Sequence, residues 1–351
     1  MGDDPLTELE KNIKRFRQYE AELKAKEEAL KKQEDELFAR RIQLERDEKE
    51  LSYQKEQKEP TEAELRTRLE FLEQIIKQKE EEIRQKGEEL ERRRIELEGR
   101  AKLALQEELK TEKALTGTQR LDDLLMGGIP FGANVLAMGP AFIGKEIAIN
   151  KFLMEGVQKE IPAIVITTDV SPDEILEEMT YITPEAKEYT KNGLLHFIDA
   201  YSRSMGIQSG AGQTKYIDHP TDYSSIIEAF NELTKKLHAK SKYIRIAVRS
   251  ISTLITYTDP TETYKFLQQI TGKIKHHKDV AMYTIDKGMH SETDVQTLQH
   301  LMDGSIEFKT DGTKTFLSVQ GLTDVQSRAW IQYTYNRKGL NIGSFAMGHI
   351  S

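Results

Sequence analysis

Apolar residues recur at every seventh position through Leu9, Phe16, Leu23, Leu30, Leu37, Leu44 and Leu51, the repeat that keeps one seam of a supercoiled helix against a partner. The companion seam is apolar only at Leu6 and Ile13, then turns polar at Glu20, Glu27, Glu34, Arg41 and Glu48, which predicts a weak or conditional pairing. Pro60 interrupts the pattern. Thr61-Glu-Ala-Glu64 directly after it has the form of a capping box, in which a hydroxyl and a carboxylate satisfy the free amide donors of a helix start. A second helix is therefore expected from there to about Lys110, with a stripe at Leu69, Ile76, Ile83, Leu90, Leu97 and Ala104 and early support from Leu65 and Leu72. Gly87 and Gly99 weaken it by about 1 kcal/mol each relative to alanine. A solvated helix laced with i,i+4 ion pairs is the plainer alternative to a coiled coil. Periodicity also leaves two arrangements open, a hairpin at Pro60 or a rod running through it.

Beyond Leu115 the period changes to short β-rich runs alternating with helical stretches, the pattern of a parallel sheet with crossover helices. Strands are expected at 134–138, 163–168, 194–200, 243–248, 280–286, 305–309, 315–319 and 329–335. The last three lie close together, which predicts an antiparallel tail. Trp330, at the start of one of them, is expected in the core. Residues 202–222, rich in Gly, Ser and Thr, are expected as a mobile surface loop.

Charge divides the chain at the same place. Of the first 110 residues 57 are charged, against 53 of the remaining 241, so the first part cannot bury a core of its own and the second is long enough to do so. The expected organisation is a coiled-coil arm over 1–112, of two helices with a break near Pro60, followed by an α/β domain over 113–351. A net charge of -8 with both signs interspersed provides no field for nucleic acid or an anionic membrane. The absence of cysteine removes thiolate catalysis and zinc thiolate sites. No apolar signal core opens the chain and no run of about 18 apolar residues occurs in it, so a cytoplasmic protein without a membrane span is expected.

The candidate chemistry lies at Gly139, Pro140, Ala141, Phe142, Ile143, Gly144, Lys145 and Glu146, between an expected strand and a helix expected over 145–159. This is a phosphate-binding loop up to its last letter. Its backbone N–H groups would wrap phosphates and Lys145 would reach the terminal ones, but the hydroxyl that should meet magnesium has become a carboxylate. His276, His277 and His290 have no second ligand at metal spacing, and no metal site is expected there.

Upstream of the loop, Thr116-Gly-Thr-Gln-Arg-Leu121-Asp122 through Met126-Gly-Gly-Ile-Pro130-Phe-Gly132 resembles the entry motif of the KaiC-like branch of the RecA superfamily. Downstream, Ile166-Thr-Thr-Asp169-Val170-Ser171-Pro172 resembles that family's second strand with its paired catalytic carboxylates, and Arg245-Ile-Ala-Val-Arg249-Ser250 its Walker B strand. Met302-Asp303-Gly304-Ser305 resembles its late Asp-Gly turn, and 338–345 its closing strand. The resemblance spans 115–351 and implies a RecA-like, mostly parallel sheet with ATP or ADP as ligand.

The departures fall on chemistry. Matched residue by residue, the magnesium-binding Ser or Thr is Glu146, the Walker B aspartate is Arg249, and the two acids that orient water are Asp169 and Val170. The basic pair that reaches across a ring interface falls on Gln320 and Leu322, and Lys287 stands where a nucleotide sensor sits, just past a strand end. Phosphoryl transfer depends on metal and cationic charge at the phosphates. The expectation is thus a catalytically degenerate, regulatory or scaffolding oligomer with doubtful magnesium and only Asp169 left as a catalytic candidate. It would self-associate through the coiled coil and a RecA-type ring and bind an unidentified protein. Two alternatives stay open, an active ATPase holding magnesium through Glu146 and Asp169, or a RecA-type nucleic-acid binder. Glu146 and Arg249, opposite in charge and replacing residues around one metal, are expected to form a salt bridge in the vacated site; the rival arrangement points Arg249 at phosphate as a substitute for the metal.

Overall fold

The computed structural model describes residues 31–33, 35–49, 62–207, 210–322 and 324–344. The seam positions before residue 31, Glu34, Leu51, Pro60, Thr61, Phe345 and the side chains of Leu97 and Ala104 lie outside the described residues. The chain forms two compact units, Met1–Leu105 and Gln106–Ser351.

The described helices of the first unit are α1 (residues 35–49) and most of α2 (Glu62–Thr111), and Lys86 Nζ of α2 donates to Gln33 Oε1 at 2.9 Å. Leu37 and Leu44 on α1, and Leu65, Leu72, Ile76, Ile83 and Leu90 on α2, are half-buried. Leu69 departs from the expected stripe and is exposed, like Phe38 and Phe71. Arg93 and Arg94 of α2 pair with Glu89 and Glu91 one turn away, as on any solvated helix face. No helix among the described residues is long and apolar enough to cross a membrane.

The second unit is a ten-stranded sheet covered by helices. Its strands are β3 (Asn134–Gly139), β4 (Ala163–Thr167), β5 (Leu195–Asp199), β6 (Thr214–Tyr216), β7 (Arg245–Arg249), β8 (Val280–Asp286), β9 (Gly304–Asp311), β10 (Lys314–Gln320), β11 (Ile331–Asn336) and β12 (Gly339–Ile342). The order is β12-β11-β10-β9-β3-β8-β7-β4-β5-β6, parallel from β9 to β6 and antiparallel from β9 to β12. β1 (Lys113–Ala114) and β2 (Ile129–Pro130) form a separate ribbon that needs Gly128, because a Cβ there would lie 2.4 Å from Ala114 O at a φ of +114.

Central strands buried on both faces read as continuous apolar runs rather than alternations, as in β4 (Ala163-Ile-Val-Ile-Thr167). One face is covered by α7 (Tyr223–His238), α8 (Ile251–Tyr257), α9 (Pro260–His277) and α10 (Glu292–Gln299), which bring Phe230, Leu254, Phe266 and Leu298 against Ile164, Ile246 and Tyr283. Helix starts follow local chemistry. Asp259 accepts from the amides of Thr261 and Glu262 ahead of α9, with Pro260 at the first helical position. Ser171 and Pro172 do the same for α5 (Pro172–Thr180).

Two sequence expectations fail here. Residues 202–222 contain β6, which extends the sheet by pairing with β5; its polar residues suit an edge strand, where one side of the backbone faces water. Trp330 is 41% exposed rather than in the core, because it precedes β11 and lays its ring under Lys309 Nζ, 4.1 Å from the centroid.

Glu108, in the last turns of α2, belongs to the second unit. Its carboxylate accepts from Lys159 Nζ, from the Tyr243 hydroxyl at 2.6 Å and from Arg245 Nη2 at 3.2 Å, all four side chains being buried. Arg245 also donates to the carbonyls of Leu115 and Phe152. Gly156 is required beside it, since a Cβ there would stand 2.4 Å from Arg245 Cδ.

Candidate functional site

The loop from Gly139 to Gly144 joins β3 to α4 (Lys145–Val157), at the carboxyl ends of the parallel strands, where open α/β sheets present their sites. Gly139 packs directly on β9, where a Cβ would meet Phe308 O at 2.8 Å. Gly144 caps the helix in the left-handed region, at φ +87. Phe142 is left-handed as well, at φ +59, and is 93% exposed, a conformation that costs an L-residue about 1–2 kcal/mol. Two tyrosines on one face of β11 hold the loop in this shape. The hydroxyl of Tyr335 donates to Phe142 O and that of Tyr333 to Ile143 O, and the Tyr335 ring covers Gly144, 2.8 Å from where a Cβ would be.

Lys145 is buried, and Nζ reaches Asp286 Oδ1 at 2.6 Å, Glu146 Oε1 at 2.9 Å and Pro140 O at 3.1 Å. Burial pushes its pKa down, but the charges of Glu146 and Asp286 outweigh that and hold it above the ordinary lysine value. Asp286 ends β8, the strand next to β3 in the sheet, and its own amide donates to Ser252 Oγ at 2.8 Å.

Arg249 ends β7, which is separated from β3 by β8. The Glu146–Arg249 salt bridge expected from the sequence does not form. Arg249 Nη1 instead donates to Glu178 Oε2 of α5 at 2.8 Å, and Asn150 Nδ2 of α4 donates to the same oxygen at 2.9 Å. The physical reason is competition. Glu146 is taken by the adjacent buried ammonium, while Glu178 is half-exposed and pairs at a smaller desolvation cost. Glu146 still lies in the field of Arg249: burial lowers the guanidinium pKa, and Asp169, Glu178 and Glu146 together raise it above the ordinary arginine value. Arg249 Nε is buried with no hydrogen-bond partner.

Asp169 lies just past the end of β4, where burial raises its pKa and Arg249 only partly opposes the rise. Val170 offers only its carbonyl, which accepts from Thr167 Oγ1 at 2.6 Å. Lys287 adjoins the loop through its backbone, donating to Gly139 O at 2.9 Å, but its half-exposed side chain turns to Glu307 at 3.6 Å. Gln320 donates to Ser318 Oγ, and Leu322 is buried. Pro140 and Ala141 are exposed; Ile143 is buried.

The loop therefore has a left-handed glycine, a helix start and a buried lysine, the parts from which a phosphate cradle is built. Magnesium does not fit the same site. A carboxylate already bonded to Lys145 stands at the hydroxyl position, and a guanidinium whose fixed positive charge opposes a divalent cation stands at the acid position. Sequence reasoning missed Asp286, Glu178, Asn150, Tyr333 and Tyr335. Asp286 alone carried a signal, as the last residue of an apolar run.

Residues 114–323 match the family model described as the KaiC ATPase. Among curated proteins, a UPF0273 protein of Aeropyrum pernix is 30% identical over 144 residues, 41% of this chain and 56% of its own length. The circadian clock oscillator protein KaiC of Parasynechococcus marenigrum is 24% identical over 251 residues, 67% of this chain and 45% of its own. The chain spans about half the length of the curated relatives it matches. Among solved structures, a KaiC-like protein of Pyrococcus horikoshii superposes with a TM-score of 0.54 at 17% identity, over 66% of this chain and 99% of that one, a likeness of fold.

Proposed function

Because the chain belongs to the KaiC ATPase family, we propose that it is a member in which the nucleotide site has passed from hydrolysis to a regulatory or scaffolding role. One observation carries this reading: the loop lysine is neutralised by Glu146 and Asp286, and an arginine stands where the family places its Walker B acid. Phosphoryl transfer needs cationic charge delivered to the phosphates and an oriented water. Here two carboxylates hold the nearest cation, and Val170 replaces one of the two acids that would orient the water. When bound, ATP or ADP would lie along the backbone amides of Ala141 to Gly144 and against Lys145, displacing at least one of its carboxylates.

The test is phosphate release from magnesium-ATP by the purified full chain, beside a Lys145→Ala control. No loop-dependent release is expected. A loop-dependent rate on the order of one per minute, already far below the usual range of about 1–1000 per second, would overturn the proposal in favour of an active enzyme with an altered metal shell.

The arm is proposed to set self-association. Its heptad side chains are only half-buried and Phe38 and Phe71 are exposed, so a further helical surface gains by covering them. Removing residues 1–100, which leaves Glu108 in place, should lower the number of subunits found by light scattering. An unchanged subunit number would assign the arm to a foreign partner.

A further inference from the structure

We propose that the loop binds a nucleoside polyphosphate as the metal-free anion, with the Arg249 guanidinium supplying the positive charge that a divalent cation supplies in an ordinary phosphate loop. This rests on the reading that the cradle still admits nucleotide. The sheet order sets the end of β3, from which the loop leads to Lys145, beside the end of β7 that carries Arg249, with only β8 between them, and both side chains are buried, so neither charge is spent in water. Arg249 has unused capacity: Nη1 is satisfied by Glu178, while Nε is buried and has no partner. A buried donor left unpaired is unfavourable, and a ligand bringing an acceptor relieves it.

Glu146 shows how the two cations are linked. Its carboxylate bonds Lys145 at 2.9 Å and lies within electrostatic reach of Arg249, so one anionic group already answers to both charges. A phosphoryl group is a larger anion with three acceptor oxygens and makes stronger charge-assisted bonds to lysine and arginine than a carboxylate does. Glu146 and Asp286 are partly exposed and can turn to water when it arrives. Arg249 has no such freedom, being held between the strand end and Glu178. Its fixed charge therefore repels a divalent cation brought by the nucleotide, while favouring the bare polyphosphate.

The experiment is equilibrium binding of a fluorescent ATP analogue to the full chain, once with excess EDTA and once with millimolar magnesium. Binding is expected in EDTA at an affinity equal to or tighter than that in magnesium. Arg249→Met should weaken binding in EDTA by about tenfold or more, and Arg249→Asp, which restores an acid at this position, should make binding depend on magnesium. Melting curves confirm that each variant is folded, and the wild-type comparison stands without them. Binding that requires magnesium in the wild type, or an unchanged EDTA affinity in folded Arg249→Met, overturns the inference and leaves the nucleotide reading standing. No binding in either buffer overturns both.

Discussion

Replacing Glu108 by alanine should destabilise the second unit by about 3–5 kcal/mol, the usual cost of removing one partner from a buried ion pair. For a unit of this size that is a fall of roughly 8–15 °C in melting temperature. The loss is large because Arg245 is fully buried and cannot reach water, and Lys159 is nearly so. With Glu108 gone, Lys159 keeps Glu155 at 3.0 Å and Arg245 keeps two carbonyls, but a net positive charge remains in the interior. The double variant Glu108→Leu, Arg245→Met should recover part of the loss, since an apolar pair of similar volume removes both desolvation terms. The contribution is also pH-dependent, and its sign follows from the direction of the shift. Burial alone pushes the Glu108 carboxyl up, but Lys159 and Arg245 hold it below the ordinary glutamate value. The stabilisation is thus complete at neutral pH and is lost as pH falls through the depressed value. Circular-dichroism melts at pH 7 check the first point; a change under about 1 kcal/mol would show that the network does not anchor the last turns of α2.

Lys145→Ala should cost about 2–4 kcal/mol in the absence of any ligand. A lysine kept only for phosphate would be near neutral to replace in the empty protein. Here the ammonium is buried and bonded to two carboxylates and a carbonyl, so its removal sets Glu146 and Asp286 against each other at the start of α4. The repulsion is moderated by partial solvent access to both acids, which places the cost below that of Glu108→Ala. Adding Asp286→Asn should return a measurable share of it by removing one of the two like charges. Urea denaturation of the ligand-free single and double variants checks both values. A Lys145→Ala protein as stable as the parent would mean that the lysine waits for a ligand and is not a structural cation.

Much of the fold was legible because its signals are local. The apolar runs that predicted strands at 134–138, 163–168 and 280–286 correspond to β3, β4 and β8 to within a residue. The Asp259-Pro260 and Ser171-Pro172 starts are equally local, as is the loop whose last glycine must be left-handed. β6 was not legible because an edge strand need not be apolar, and its pairing comes from β5 rather than from its own side chains. Trp330 was misplaced because an aromatic residue at a strand end has two ways to cover its ring, burial or a cation such as Lys309.

The site divides along the same line. The loop, its lysine, the carboxylate after it and the arginine on β7 are consecutive or motif-bound, so the sequence alone singled them out as candidates. Which carboxylate neutralises which cation was decided only in three dimensions. Glu146, Asp286 and Glu178 come from α4, β8 and α5, and their assignment depends on strand order, distance and desolvation. The nearest buried ammonium captures Glu146, and Arg249 takes the half-exposed acid that reaches it at the least cost in lost hydration. Ion pairing follows spatial proximity and solvent access, and no periodicity along the chain records either.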